Sequence, residues 1–121
     1  MKNLVQLLVF VLVTAAFPAM AQQADTYTQD GETVTVTRYY DDGSVREQGS
    51  YMNDVPNGKW VQFSQEGEVM MEAYFTNGKK DGTWLVYRDN GATLIEMEYS
   101  NNILAASHKW KLEERNIVSV D

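Results

Sequence analysis

An aromatic residue and a glycine recur at one fixed interval. "YYDDG" begins at Tyr39, "FSQEG" at Phe63 and "YRDNG" at Tyr87, with glycines at Gly43, Gly67 and Gly91. Eight residues after each glycine stands another aromatic: Tyr51, Phe75 and Tyr99. Asn53, Asn77 and Asn101 align next, then Gly58 with Gly82 and Trp60 with Trp84. A period of this length marks a repeat array, in which each unit buries its apolar face only against its neighbours. The third block drifts: Ala106 stands where glycine is due, and Trp110 comes two places late. A drifting last unit suits a terminal cap.

Each block reads as a hairpin plus a connection. In "DGTWLVY" the residues Trp84 to Tyr87 favour extended backbone. The Asn-Gly of "RDNG" predicts a tight hairpin turn, because both residues tolerate positive φ. The returning segments alternate with a period of two. Val69, Met71, Ala73 and Phe75 share one face, and Ile95, Met97 and Tyr99 fall at the same offsets. "TNGKKDG" reads as a longer turn, with Gly78 and Gly82 bracketing two lysines. No window carries a sustained helical stripe; "KLEERN" allows one helical turn at most. The expected fold is all-β: one antiparallel meander sheet of about three 24-residue hairpin repeats.

Residues 22–38 are expected as an N-terminal cap strand, 39–110 as the repeats, and 111–121 as a tail, with "NIVSV" a last edge strand. Val34 and Val36 sit one place off the register of the later strands. That suits a cap strand whose outer face meets water.

The chain opens "MKNLVQLLVFVLVTAAFPAMAQQ". Lys2, an apolar run from Leu4 to Phe17, and "AMA" predict a secretory signal peptide over 1–21, cut after Ala21. A spanning helix would need about 20 apolar residues, so a retained anchor is the weaker reading. The expected product is exported, periplasmic or extracellular, with no stable membrane insertion after cleavage. Cleavage leaves 100 residues and moves the formal charge from −7 to −8. An acidic surface disfavours nucleic acid and anionic lipid. The sequence has no cysteine, so stability rests on packing without disulfides.

These blocks resemble the bacterial variant of the MORN repeat: aromatic, polar residues, Gly, an alternating strand, Tyr, Asn-Gly-x-x-x-Gly-x-Trp, aromatic. "YFTNGKKDGTWLVYRDNG" follows that pattern almost throughout. "YMNDVPNGKWVQFSQEG" follows it with Asp54 in place of the first turn glycine. The resemblance runs over residues 39 to 99. It implies a repeat sheet whose glycines, Gly43, Gly58, Gly67, Gly82 and Gly91, and aromatics, Tyr51, Trp60, Phe75, Trp84 and Tyr99, are structural. It also implies a role in protein–protein contact. Some similar proteins carry antitoxin labels, and some short exported ones are labelled nicotinate mononucleotide adenylyltransferases.

The residues do not support the enzymatic label. An adenylyltransferase of the nucleotide-binding type resembles a Rossmann fold with paired histidines, and His108 is the single histidine. There is no Gly-x-Gly-x-x-Gly and no phosphate loop of the Walker type. "NGKKDGT" recurs as "NDVPNGK" on the repeat, so a turn explains it. No serine sits in a nucleophile elbow. Asp41, Asp42 and Asp89 flank turns, where acids serve the turn itself. The expectation is no catalytic, cofactor or metal site. The leading function is a non-catalytic module that contacts an unknown protein or envelope component. An antitoxin role is disfavoured by export, and a small enzyme is the alternative.

A residue and its counterpart one period on should share a face. The stripe with Met71 and Phe75 is the more apolar side. The opposite parity carries Met70, Glu72, Tyr74, Leu94, Glu96 and Glu98. Apolar anchors rimmed by charge suit an interface, so these six are the candidate partner-binding residues, and a partner should be basic or neutral.

Overall fold

A computed structural model describes residues 22–113 and 116–120. Within them the chain forms eleven β-strands and no helix. The expected signal segment, 1–21, lies outside the described residues.

The strands are β1 (Thr26–Asp30), β2 (Thr33–Tyr39), β3 (Val45–Met52), β4 (Val55–Pro56), β5 (Gly58–Phe63), β6 (Val69–Thr76), β7 (Lys79–Lys80), β8 (Gly82–Arg88), β9 (Thr93–Ser100), β10 (Ile103–Glu113) and β11 (Asn116–Ser119). They make one antiparallel meander, in the order β1-β2-β3-β5-β6-β8-β9-β10-β11. The two-residue strands β4 and β7 pair with β3 and β6 off that path. The all-β meander expected from the repeat is therefore the observed fold.

The recurring asparagines explain the tight turns. Asn53-Asp54, Asn77-Gly78 and Asn101-Asn102 each join two paired strands, and all six residues have positive φ. Two-residue turns with both φ positive follow the right-handed twist of the strands they join, and asparagine tolerates that region best among residues with a side chain. "TNGKKDG" is thus not one long turn. It is a tight turn followed by β7, whose Lys79 and Lys80 pair with Thr76 and Phe75. The chain then bends at Gly82, with φ +107°, into β8. The "RDNG" loop also differs from a two-residue hairpin. Four residues, Asp89 to Ala92, separate the paired Arg88 and Thr93, and Asp89, Asn90 and Gly91 are all left-handed.

The region before the repeats holds two strands, β1 and β2. Val36 is in register with the repeat. It lies one period before Trp60, pairs with Gly49 as Trp60 pairs with Ala73, and is fully buried. The off-register reading compared Val36 with the wrong strand of the hairpin. The other face of β2 does meet water, since Thr35 is exposed. Near the C-terminus, Lys111–Glu113 extend β10 and Asn116–Ser119 form the expected edge strand.

The core is a ridge on one face of a single sheet. Val36, Trp60, Ala73 and Trp84 are buried, with Tyr51, Met71, Phe75, Met97 and Tyr99 packed against them. The aromatics form a ladder across the strands. Ring centroids stand 5.0 Å apart for Tyr51–Trp60, 6.4 Å for Trp60–Phe75, 5.1 Å for Phe75–Trp84 and 5.3 Å for Trp84–Tyr99. The first three contacts are edge-on, the arrangement that aligns ring quadrupoles favourably.

Candidate functional site

The six candidate residues lie on β6 and β9, near the middle of the sheet. Strand register places Glu72, Tyr74, Leu94, Glu96 and Glu98 on the face opposite the ladder; Met70 is the extra residue at a register shift and has no cross-strand partner among the described residues. Met71, Ala73, Phe75, Met97 and Tyr99 belong to the ladder side, so the alternating Glu72, Tyr74, Glu96 and Glu98 project the other way. Val69 departs from the expected stripe. The register shifts between Gln62 and Phe63, and Val69, beyond the shift, is 37% exposed.

One row crosses this outer face. Cross-strand partners run Val61, Glu72, Leu85, Glu96 and His108 from β5 to β10. Apolar and acidic residues alternate along it. Glu72 and Glu96 are two strands apart, about 10 Å. Met70 is 45% and Tyr74 37% exposed. Tyr74 stands in the next row, opposite Lys59, and Leu94 pairs with Tyr87 and Trp110 further along.

The acids differ in their partners. Glu72 forms an ion pair with Lys59 at 3.4 Å, partly exposed on both sides. Such a pair contributes at most about 1 kcal/mol. Glu98 accepts a hydrogen bond from the Thr83 hydroxyl at 2.5 Å. Glu96 lies across from His108, which is exposed and has its ring 6.2 Å from Trp110. A shallow depression beside this row is lined by Glu72, Tyr74, Asp81, Gly82, Thr83 and Leu85.

The ladder face is chemically different. Arg38 donates to the Tyr51 hydroxyl at 3.2 Å and to Glu47 at 3.1 Å, and sits 6.0 Å from the Trp60 ring. The bond it donates to Tyr51, and then that to Glu47, hold its pKa above the ordinary arginine value against partial burial. Lys80 lies 4.8 Å from Trp84 and 5.0 Å from Tyr99. These cations cap the ladder and complete its packing. Sequence reasoning missed both, because neither recurs on the period: Pro56 stands where Lys80 does one unit later.

Among the described residues no group of three or more His, Cys, Asp or Glu comes together as a metal centre would require. His108 lies on β10, Asp41 and Asp42 in the loop between β2 and β3, and Asp89 in the loop between β8 and β9. Asp42 serves its turn directly: it accepts from the Ser44 hydroxyl at 2.5 Å and the Ser44 N–H at 2.9 Å.

The fold and ladder define a repeat β-sheet module. Residues 32–53 match the family model described as the MORN repeat variant. That stretch is β2, the following loop, β3 and the first residue of the Asn53 turn. It lies earlier than "YFTNGKKDGTWLVYRDNG", the segment that carries the resemblance in sequence. No curated protein matches the chain.

Proposed function

We propose that the chain is an exported, non-catalytic binding module, and that its outer face holds a protein or envelope component. The observation that carries this reading is the row Val61, Glu72, Leu85, Glu96 and His108, flanked by the exposed Tyr74. Apolar side chains set among carboxylates offer desolvated anchors with a charged rim. The carboxylates select a basic or neutral partner, and attraction to them weakens as salt screens it. The resemblance to repeats linked with protein contact favours the same role. The apolar run of 4–17 and "AMA" support export, with cleavage after Ala21 leaving Gln22 as the first residue.

The test is affinity capture from the producing cell's envelope, followed by capture with Glu72, Glu96 and Glu98 all changed to Lys. The expected result is a partner held by the parent chain and lost by the folded triple variant at low salt. Equal capture by both refutes the assignment of this face. N-terminal mass spectrometry of the exported chain reads the cleavage site, and an intact Met1 in that fraction refutes export with cleavage.

A further inference from the structure

The ladder face carries its own pattern for holding an ammonium group. Lys80 Nζ lies 4.8 Å from the Trp84 ring and 5.0 Å from the Tyr99 ring. A cation beside two aromatic faces is attracted by both ring quadrupoles. Two periods earlier the same positions hold Glu32, Val36 and Tyr51. The lysine has become a carboxylate and the tryptophan a valine. Tyr27, which pairs with Val36 across β1 and β2, supplies a ring beside that smaller residue. The N-terminal end of the ladder face thus has two tyrosines and an acid where the C-terminal end has its own cation.

The backbone opens this place. Gly58 and Gly82, with φ +85° and +107°, bend the chain where β5 and β8 begin. Val34 stands at that position in β2, and the strand continues through it to Thr33. The first hairpin therefore turns at Gly31 and Glu32, two residues past the place set by the period of Asn53-Asp54 and Asn77-Gly78. The later turns are tied together: Gly78 N–H donates to the Pro56 carbonyl and Asn102 N–H to the Lys80 carbonyl, both at 2.8 Å. Among the described residues no such bond joins the Asp54 N–H to the Glu32 carbonyl. The two turns instead flank a hollow of about 570 Å³, a volume ordinary for a ligand site. Tyr27, Glu32, Val34, Tyr51, Asn53 and Asp54 line it.

The lining selects a cation on an apolar stem. Val34 and the two tyrosines give the hollow apolar walls, and Tyr27 is 62% exposed. Tyr51 meets Trp60 at an interplanar angle of 80°, an edge contact that leaves at least one face of its ring unused. Glu32 and Asp54 are exposed, and among the described residues neither has an ion pair. Arg38 is already held by Asp25 and Glu47, and no described lysine or arginine lines the hollow. Two carboxylates without an internal cation attract one from outside. Lysine fits this lining: its hydrocarbon stem lies along apolar surface while the ammonium stays at the polar rim.

We propose that this hollow binds a lysine side chain presented by a partner protein, with the ammonium beside the Tyr27 and Tyr51 rings and against Glu32 and Asp54. The site lies on the ladder face, so it does not rest on the outer-face reading. Exposed carboxylates are screened by water and salt. One lysine alone is therefore held weakly, in the millimolar range, and a partner gains affinity from contacts around it.

NMR titration of the isotope-labelled chain with a capped Gly-Lys-Gly tripeptide tests this. The expected result is saturable shifts at the backbone amides of Gly31, Glu32, Asn53 and Asp54. The same tripeptide with its lysine acetylated keeps the stem without the charge, and ethanolamine keeps the charge without the stem. Both should bind several-fold more weakly. Glu32→Gln combined with Asp54→Asn should weaken the lysine peptide several-fold, and asparagine tolerates the φ of 64° at position 54. Tyr27→Leu keeps an apolar wall, removes the ring and should weaken it similarly. Asp30→Asn, which removes a neighbouring charge outside the lining, should matter far less than the double change. Changing Glu72, Glu96 and Glu98 to Lys on the other face should leave these shifts in place. Far-UV circular dichroism identifies the variants that keep the sheet. Shifts that never saturate or map away from the two turns, equal binding of the acetylated peptide or of ethanolamine, or indifference to Tyr27→Leu and to the double change overturns the proposal.

Discussion

Trp60 lies flat across Gly49. A Cβ at Gly49 would stand 2.0 Å from Cδ2 of the Trp60 indole, inside any permissible contact. Gly49 is not among the residues with positive φ, so its backbone would accept alanine and only the indole objects. The indole N–H meanwhile donates to the Ser50 carbonyl at 3.1 Å. The Trp84 indole does the same to the Tyr74 carbonyl at 3.0 Å. Cross-strand pairing between β3 and β5 is limited to Glu47 with Gln62 and Gln48 with Val61. The tryptophan thus supplies a link from side chain to backbone beyond the end of the paired ladder, while its ring fills the face above.

Gly49→Ala is expected to destabilise the fold by about 1–3 kcal/mol, the usual cost of overpacking. Thermal unfolding monitored by circular dichroism measures it. The same change made in a Trp60→Val background should cost much less, because the clashing ring is gone. Equal costs in the two backgrounds would show that Gly49 is required for another reason.

Trp84→Phe separates the indole's two roles. Phenylalanine keeps much of the ring packing against Phe75 and Tyr99 but has no donor for the Tyr74 carbonyl. That carbonyl retains its bond from the Asp81 N–H at 3.0 Å. The lost hydrogen bond should cost about 1 kcal/mol, with a further contribution from the smaller ring. Trp84→Ala should cost about 3–5 kcal/mol. Chemical denaturation of the three proteins orders them, and a Phe variant as unstable as the Ala variant would reject the ladder as the main source of stability.

Sequence legibility follows from what repeats and what does not. Tyr51, Trp60, Phe75, Trp84 and Tyr99 stand on the period, so the sheet and the structural role of these aromatics were readable, whereas their joining into one ladder depends on strand pairing. Asn53, Asn77 and Asn101 marked the turns, although the tightness of the Asn77-Gly78 turn was hidden by the lysines that follow it. Val36 and Gly49 escaped because each replaces the expected residue type with a smaller one: valine for tryptophan, glycine for Ala73. Their equivalence appears only once strands are paired. The outer face was legible as parity. The straight row through Leu85 and His108 was not, because it depends on the register between hairpins.

Lys80 should stabilise the C-terminal half of the ladder. Its ammonium faces both Trp84 and Tyr99, and a cation over aromatic faces contributes about 0.5–2 kcal/mol. Lys80→Met, which keeps an apolar stem of similar length, should lose that electrostatic part alone. Lys79, one residue earlier and exposed, should tolerate methionine with a change within about 0.5 kcal/mol. Comparing the two melting temperatures tests the assignment. Equal shifts would place the effect of Lys80 in net charge instead of in its contact with the rings.

Asp42 gives the loop between β2 and β3 an acid-sensitive contact. The Ser44 hydroxyl, then the Ser44 N–H, hold its carboxyl below the usual aspartate value. A depressed folded-state pKa means that the unfolded chain binds the proton more readily. The contribution to stability is therefore fully present above the unfolded value of about 3.9, and it is lost as pH falls through the lower folded value. Ser44→Ala removes the larger cause and leaves the backbone bond. The Asp42 carboxyl signal, followed by NMR across that acid range, should titrate at higher pH in the variant than in the parent chain, while remaining below an unperturbed aspartate. An unchanged midpoint would show that the hydroxyl does not hold the carboxylate in solution.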